Sequence, residues 1–412
     1  MKNVLYGKCV RCGRTYEATP DLTNCACGGI LDIVYDYDYV KAHMTKEALH
    51  RRKRTMWRYR ELLPVEEDTP DTPLRVGWSP LYEAPRLGER LGLKQLWIKD
   101  DGQNPTGALK DRASAMAVAK AGEAGAEVIA CSSTGNAASS LAGNAAAAGL
   151  KTYIFVPSRA PKGKVAQLMT FGATVISVQG SYEETFELSK AAIERWGWYN
   201  RNAAINPYLS EGKKTVALEI LEQLHWQVPD YIAISVGDGC TIAGLWKGLK
   251  DLYAIGFIDR LPRLISAQAE GCCPLNRAIR EGGDWRPMEE NTFADSIAVG
   301  VPRNPDKALR AIRESQGLAV NVSDREIMEA QQLLGRTCGV FGEPAGVTGT
   351  AGVRKLCEQG LIGKNDTVVS VVTGNGLKDV ANAIKACGEP IAIPGTMDAL
   401  LEAFAKTGLG PQ

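Results

Sequence analysis

The chain has 412 residues, 48 basic against 47 acidic side chains and a formal net charge of +1, a balance that offers neither nucleic acid nor an anionic membrane surface anything to hold. No uninterrupted apolar run approaches the roughly 18 residues of a membrane span. Its 11 cysteines, several inside apolar or helical runs, fit a reducing compartment better than a disulfide scaffold. The N-terminal stretch MKNVLYGKCVRCG has no apolar core ahead of a small-residue cleavage site, so the expectation is a cytoplasmic protein.

Residues 1–35 read as a module of their own. Cys9 and Cys12 form a C-x2-C knuckle, and Cys25 and Cys27 a tighter C-x-C pair. Four thiolates from two turns are the donor set of a structural Zn²⁺, and a piece this small has too little core to stand unaided. The second pair is shorter than the usual knuckle, so reduced thiols packed without metal are the other reading. The role is structural in both, because four protein ligands leave no open position for a substrate.

Residues 33–39, IVYDYDY, predict an edge strand. Residues 41–62 are charged amphipathic material in which Arg51, Arg52, Lys53 and Arg54 form a solvated face. Pro64, Pro70 and Pro73 mark a connector. Residues 95–99 predict a strand running into DDGQNPTGALKDRA at 100–113. There Gly102, Pro105 and Gly107 punctuate a turn, Thr106 is placed as a helix cap, and an alanine-rich helix follows over about 108–121. Lys110 thus stands in the first turns of a helix, beside the end of a strand.

Beyond it the pattern alternates. Strands at 128–131, 152–156 and 174–178 are separated by helices at 136–148, 162–171 and 182–195, and 196–200 begins another strand. Such alternation predicts a parallel sheet covered on both faces. A helix at 215–224, a strand at 231–236 and a helix through 249 follow, then strand and helix material at 264–269, 312–332 and 366–372. An amphipathic helix lies within 392–412. The expected architecture is α/β: two open parallel-sheet domains with helices on both faces, plus the small N-terminal module. The larger domain is expected over 36–124 and 201–412, with a smaller domain, 125–200, inserted into it.

Three glycine-bearing loops come directly after strands, at 132–136, 237–241 and 373–376. In open parallel sheets such loops converge beyond the carboxyl ends of the strands. GDGCTIAG at 237–244 has neither the dinucleotide glycine spacing nor a Walker lysine. It offers a nest of backbone N–H groups at a helix start, suited to a single phosphate.

NPTGALKDR around Lys110 resembles the lysine motif of the fold-type-II pyridoxal-phosphate enzymes. Together with CSSTGNAA at 131–138, it is most similar within them to the threonine synthases, which often begin with a cysteine-bearing module. The resemblance implies pyridoxal 5'-phosphate as cofactor, carried on Lys110, with its phosphate in the loop of Gly237, Asp238, Gly239, Cys240 and Thr241. The Asp238 carboxylate is expected to point away from that phosphate. Asn136 is implied as partner of the ring oxygen and Thr373 of the ring nitrogen, with Ser133 and Thr134 on the substrate carboxylate. The implied reaction turns O-phospho-L-homoserine and water into L-threonine and phosphate, in a homodimer. A dehydratase, a diaminopropionate-type lyase or a cysteate-forming enzyme is the alternative. For the substrate phosphate the candidates are Lys164, Arg201 and Lys213, with Asn206 as a polar contact. Some threonine synthases place an arginine where this chain has Leu209, a departure that bears on the substrate and not on the cofactor. Arg303, Asn304, Gln268 and Glu270 are further candidates for shaping the pocket, and Lys378 is expected at the surface.

Overall fold

Apolar runs separated by helices become parallel strands, because each helical crossover returns the chain to the same end of the sheet, so that the next strand runs in the same direction. The computed structural model describes residues 1–160 and 162–408. Its larger sheet has the spatial order Leu318–Val322, Arg263–Ala269, Tyr231–Ser235, Thr367–Val372, Gln95–Asp100 and Leu81–Glu83, with only the last strand antiparallel. Every residue of Tyr231–Ser235 is buried, as expected of a central strand covered on both faces. One face packs against Ile220, Leu245 and Leu249, the other against Val347, Val353 and Leu356. The chain runs outward from Tyr231–Ser235 in one direction and returns beside it at Thr367–Val372. The order therefore reverses between these two strands, where ligands gather in open sheets.

The smaller sheet, Thr174–Val178, Lys151–Pro157, Val128–Ser132 and Tyr199–Asn200, is wholly parallel. The N-terminal module is an antiparallel sheet of Thr15–Tyr16, Val4–Cys9 and Leu31–Tyr35. No helix among the described residues is long and apolar enough to cross a membrane.

Several local expectations shift. The strand expected over 33–39 is Leu31–Tyr35. Asp36 then ends it by accepting the N–H groups of Asp38 and Tyr39, so that Tyr37 and Tyr39 join a helix, Tyr37–His43. The lysine helix runs Lys110–Glu123 and is not capped by Thr106. The roles are reversed: Asp111 accepts from the Thr106 N–H at 2.8 Å and its hydroxyl at 2.9 Å, tying the turn to the helix from the helix side. The helix expected at 215–224 begins earlier, as Tyr208–Gln223, because Pro207 presets the backbone at its entry. The amphipathic C-terminal helix is Met397–Thr407, with Met397 and Leu401 exposed. Residues 409–412 lie outside the described part.

Lys110–Glu123 packs closely on Tyr208–Gln223. A Cβ on Gly212 would come 2.1 Å from Arg112 O, so only glycine allows the approach. Across this contact Arg112, fully buried, donates to Asp101 at 2.7 and 2.8 Å, to Glu219 at 2.6 and 2.7 Å and to the Thr215 hydroxyl at 2.9 Å. Lys99 completes the set, reaching Glu219 at 2.8 Å. Burial alone would raise the Glu219 carboxyl, yet Arg112 and Lys99 hold it down at about 2. Removing Arg112 leaves Asp101 and Glu219 under-compensated in the interior. Arg112→Ala is expected to cost about 3–5 kcal/mol, read as a lowered midpoint in denaturant unfolding. A midpoint unchanged from the native chain would contradict this.

Candidate active site

Lys110 is placed by stitching between two distant parts of the chain. Leu109 N–H donates to Thr373 O at 2.9 Å and Asn375 N–H donates to Gly107 O at 2.9 Å. Ala108 and Gly374 form an isolated antiparallel bridge. The lysine turn is thereby locked to the loop that follows Thr367–Val372, and Lys110 and Thr373 line the same cavity.

That cavity, about 730 Å³, lies beyond the carboxyl ends of strands from both larger sheets. Lys110, Asn136, Gly237, Asp238, Gly239, Cys240, Thr241 and Thr373 line it, as do Ser133, Thr134, Arg201 and Lys213. All three glycine loops thus converge on one space. Of the further candidates, Arg303 also reaches it. Lys164 stands off its lining and forms an ion pair with Asp295, which does line it. Asn206 is outside as well: its amide donates to the Tyr199 hydroxyl and to Asn200 O, both at 3.1 Å, while its oxygen accepts from Tyr208 N–H. Gln268 is spent inside the fold, on Val236 O and the Asn276 N–H. Glu270 pairs with Lys355. Lys378 is not a free surface charge, since its amine donates to Ser139 Oγ at 2.9 Å and Gln167 Oε1 at 3.0 Å.

Two features of the 237–241 loop suit an anionic group. Gly239 has φ of +82°, and a Cβ there would come 2.6 Å from Ala308 Cβ and 2.8 Å from Asn304 O. The loop can therefore lie flat on the helix Pro305–Glu314 only with glycine. Gly239 opens the helix Cys240–Ala254, whose first turn has no side-chain cap, leaving its N–H groups to a ligand. The Asp238 carboxylate turns away and accepts the Arg303 N–H at 3.0 Å.

The charges in the cavity are unlike those in the interior beneath it. Neither Lys110 nor Lys213 has a hydrogen-bonding partner among the described residues, and burial lowers the pKa of both, that of Lys213 to about 8. The Arg201 guanidinium, also buried, reaches only the Ser114 hydroxyl among the described residues, at 3.2 and 3.1 Å. Buried cations in no ion pair with a carboxylate among the described residues suit an anionic ligand. A phosphate-bearing aldehyde fits this set: an amine to carry it, a nest of N–H groups for its phosphate, and polar groups from Asn136 and Thr373 on either side.

Glu343 has no counterpart in the sequence reading. It lines the cavity at the start of the helix Pro344–Glu358 and accepts from Asn136 Nδ2 at 2.8 Å. Burial pushes its carboxyl up to about 7, so near neutral pH it holds a proton part of the time. The available signal was a glutamate directly before a Pro-Ala-Gly helix start. The loop Asp295–Val299 and Arg159, which line the opposite wall, carry no such signal.

The pyridoxal-phosphate dependent enzyme family model matches residues 73–374. The chain is 42% identical to the threonine synthase of Methanocaldococcus jannaschii over 95% of this chain and 98% of that one. It is 41% identical to that of Methanosarcina acetivorans over 96% and 98%. The chain belongs to the pyridoxal-phosphate-dependent enzymes, in the threonine synthase family. Among solved structures, maize serine racemase superposes with a TM-score of 0.64 at 22% identity, covering 80% of this chain and 92% of that one. The Escherichia coli diaminopropionate ammonia lyase gives 0.65 at 19% identity, covering 75% and 86%. These two share the fold.

The N-terminal cysteines form a second candidate site. The sulfurs of Cys9, Cys12, Cys25 and Cys27 lie within 4.8 Å of one another, which compares with about 3.8 Å between ligands of a tetrahedral Zn–S₄ centre. A Cβ on Gly29 would sit 2.5 Å from Cys9 Sγ, so glycine leaves room for the cluster. The set fits one Zn²⁺. Elemental analysis of freshly purified protein is expected to give about one zinc per chain, and metal-free protein with the same fold would refute it.

Proposed function

We propose that this protein converts O-phospho-L-homoserine and water to L-threonine and phosphate. The observation that carries the reading is a cavity, in a chain of the threonine synthase family, that holds Lys110 together with two further buried cations, Lys213 and Arg201, none of them in an ion pair with a carboxylate among the described residues. A substrate with a carboxylate at one end and a phosphate at the other brings the anions these groups lack.

Pyridoxal phosphate, when bound, supplies an aldehyde for the substrate amine and an electron sink for the bonds at Cα and beyond. Lys110 would hold it, with the N–H groups of 237–241 on its phosphate, Asn136 toward the ring oxygen and Thr373 toward the ring nitrogen. Once the substrate amine takes its place, Lys110 Nζ moves protons at the substrate carbons. Its lowered pKa leaves more of the neutral amine available at neutral pH than an exposed lysine has. Ser133 and Thr134, at the start of the helix Asn136–Ala147, take the substrate carboxylate. Lys213 and Arg201 take the distal phosphate. Lys164 stands behind Asp295, with which it pairs, and Asn206 has its amide donors committed to its own turn.

We further place the enzyme in the cytoplasm as a homodimer. None of the 11 cysteines forms a disulfide, and the exposed apolar side chains of Met397 and Leu401 on the C-terminal helix offer a surface for a second copy.

Products formed separately from O-phosphohomoserine, serine and O-phosphoserine test the reaction. Threonine and phosphate from the first alone are expected, whereas keto acid and ammonia from serine as the main activity would favour a dehydratase. Borohydride reduction of the holoenzyme should fix the cofactor to Lys110, identified by mass spectrometry of the peptide. In Lys110→Ala no peptide should carry it.

The pKa of Lys213 predicts a pH dependence. Its charge is present below about 8 and is lost as pH rises through that value. kcat/KM for the phosphorylated substrate should therefore fall above about pH 8. Lys213→Met should lower kcat/KM by about 10–100-fold, mainly through KM, as expected for one lost charge-assisted contact, and should flatten this alkaline limb. An unchanged limb in the variant would remove Lys213 from the role.

A further inference from the structure

The N-terminal cysteine module touches both walls of the active-site cleft, and each of its metal-binding turns faces a different one. Beside the Cys9–Cys12 turn, Arg11 pairs with Asp306 at 2.5 Å and Val10 O accepts from Arg310 at 3.1 Å. Lys307 reaches back to Leu31 O at 3.3 Å and pairs with Asp32. These partners lie on the helix Pro305–Glu314, the one on which Gly239 rests. Its leading residues also hold the phosphate loop, through Arg303 N–H to the Asp238 carboxylate and Asn304 N–H to Asp238 O at 2.9 Å.

The approach to the Cys25–Cys27 turn grips the other wall. Thr19 O accepts from the Tyr208 hydroxyl at 2.5 Å and Pro20 O from the Tyr199 hydroxyl at 2.9 Å. With its amide oriented to satisfy both groups, Asn24 donates to Ala204 O at 3.0 Å and Ile205 O at 2.8 Å. Segment 199–208 carries Arg201 into the cavity and leads into the helix bearing Lys213. Ala204 has φ of +61°, a backbone state costly for a residue with a Cβ and kept only where the surroundings enforce it. The Asn24 bonds hold this turn from the module side, while Asn206 and Asn202 tie it from within, to Asn200 O at 3.1 Å and to Ser132 N–H at 2.8 Å.

Around its sulfurs the module packs few apolar side chains, since Ile33 and Tyr35 at its far end join a core shared with the body. Its own core is Cys9, Cys25 and Leu31, with Tyr16 and Leu22 packed alongside. A core so small relies on a metal or a comparable cross-link.

We infer that the cysteine module positions the substrate: a metal ion held by Cys9, Cys12, Cys25 and Cys27 fixes the 19–25 loop, which in turn fixes the strained 199–208 turn and hence Arg201. The kinetic part rests on the assignment of Arg201 to the substrate phosphate; the structural part does not. Asn24, Tyr199 and Tyr208 are then positioning residues, acting on the substrate through the turn they hold.

The test uses the holoenzyme, stripped of metal with a mercurial and a chelator and then reloaded with zinc. Hydrogen exchange is followed in peptides covering 199–208, with 231–250 in the large-domain core as control. Exchange at 199–208 should quicken by about tenfold or more on stripping while the control stays unchanged, and zinc should restore it. Asn24→Ala, which leaves all four sulfurs in place, should loosen the same peptide with zinc content unchanged. In both, KM for O-phosphohomoserine should rise more than kcat falls. Unchanged exchange at 199–208 in metal-free protein, or equal quickening in the control, overturns the inference. Loosening at 199–208 without any change in KM keeps the structural link and counts against Arg201 as the phosphate ligand.

Discussion

A guanidinium buried between two carboxylates fixes the frame on which the active site is built. Arg112 joins the helix Lys110–Glu123 to Asp101 at the end of a central strand and to Glu219 on the helix Tyr208–Gln223. An ion left unpaired at such depth is strongly destabilising, so the two helices cannot slide past one another without losing several bonds at once. Gly212 brings them to within backbone contact. Lys110 lies two residues before Arg112, and Lys213 directly follows Gly212. The register of one buried network therefore decides where two active-site amines emerge.

Charges beneath the cavity and charges within it obey different rules. The interior set of Lys99, Arg112, Asp101 and Glu219 is balanced, two cations against two anions, each with partners. So is Lys214, held by Glu211 and Asp251 at 2.7 and 2.6 Å. Its neighbour Lys213 faces the cavity and has no such partner. Within the cavity two deep carboxyls act on Lys110 through space, and neither pairs with it among the described residues. Glu343 is partly protonated near neutral pH, and Asp238 is turned toward a backbone N–H. Paired charges define the scaffold. Unpaired ones line the cavity.

The parts of this design readable from sequence were those with local causes. Alternating apolar strands and helices announced the parallel sheets, and glycine loops directly after strands announced where they converge. Asn136 and Thr373 lie in two of those loops and both line the cavity, while the roles expected of them came from the family resemblance. What depends on partners distant in the chain was not readable. Asn206 resembles a free polar group until Tyr199 and Tyr208 are seen to use it. Lys164 resembles a free cation until Asp295 is brought opposite. Lys378 reads as surface until Ser139 and Gln167 come within reach of its amine. Glu343 is the converse case, an ordinary acidic residue in sequence whose burial beside Asn136 gives it chemistry.

The departure at Leu209 bears on substrate choice. Where some threonine synthases carry an arginine, this side chain packs in the apolar core of the smaller sheet and is 1% exposed, so no charge stands at that position. Residues four apart on a helix share a face, and four residues beyond Leu209 is Lys213, 2% exposed and lining the cavity. Lys213 puts a cation on this face of the helix one turn beyond Leu209. Arg201, from the strand end across the cleft, approaches the same space. The racemase and lyase that share the fold do so at 22% and 19% identity, a likeness that says nothing of the distal group of the substrate. That distinction rests on whether two buried cations converge beyond the reacting carbon, and here Lys213 and Arg201 both line the cavity with Lys110.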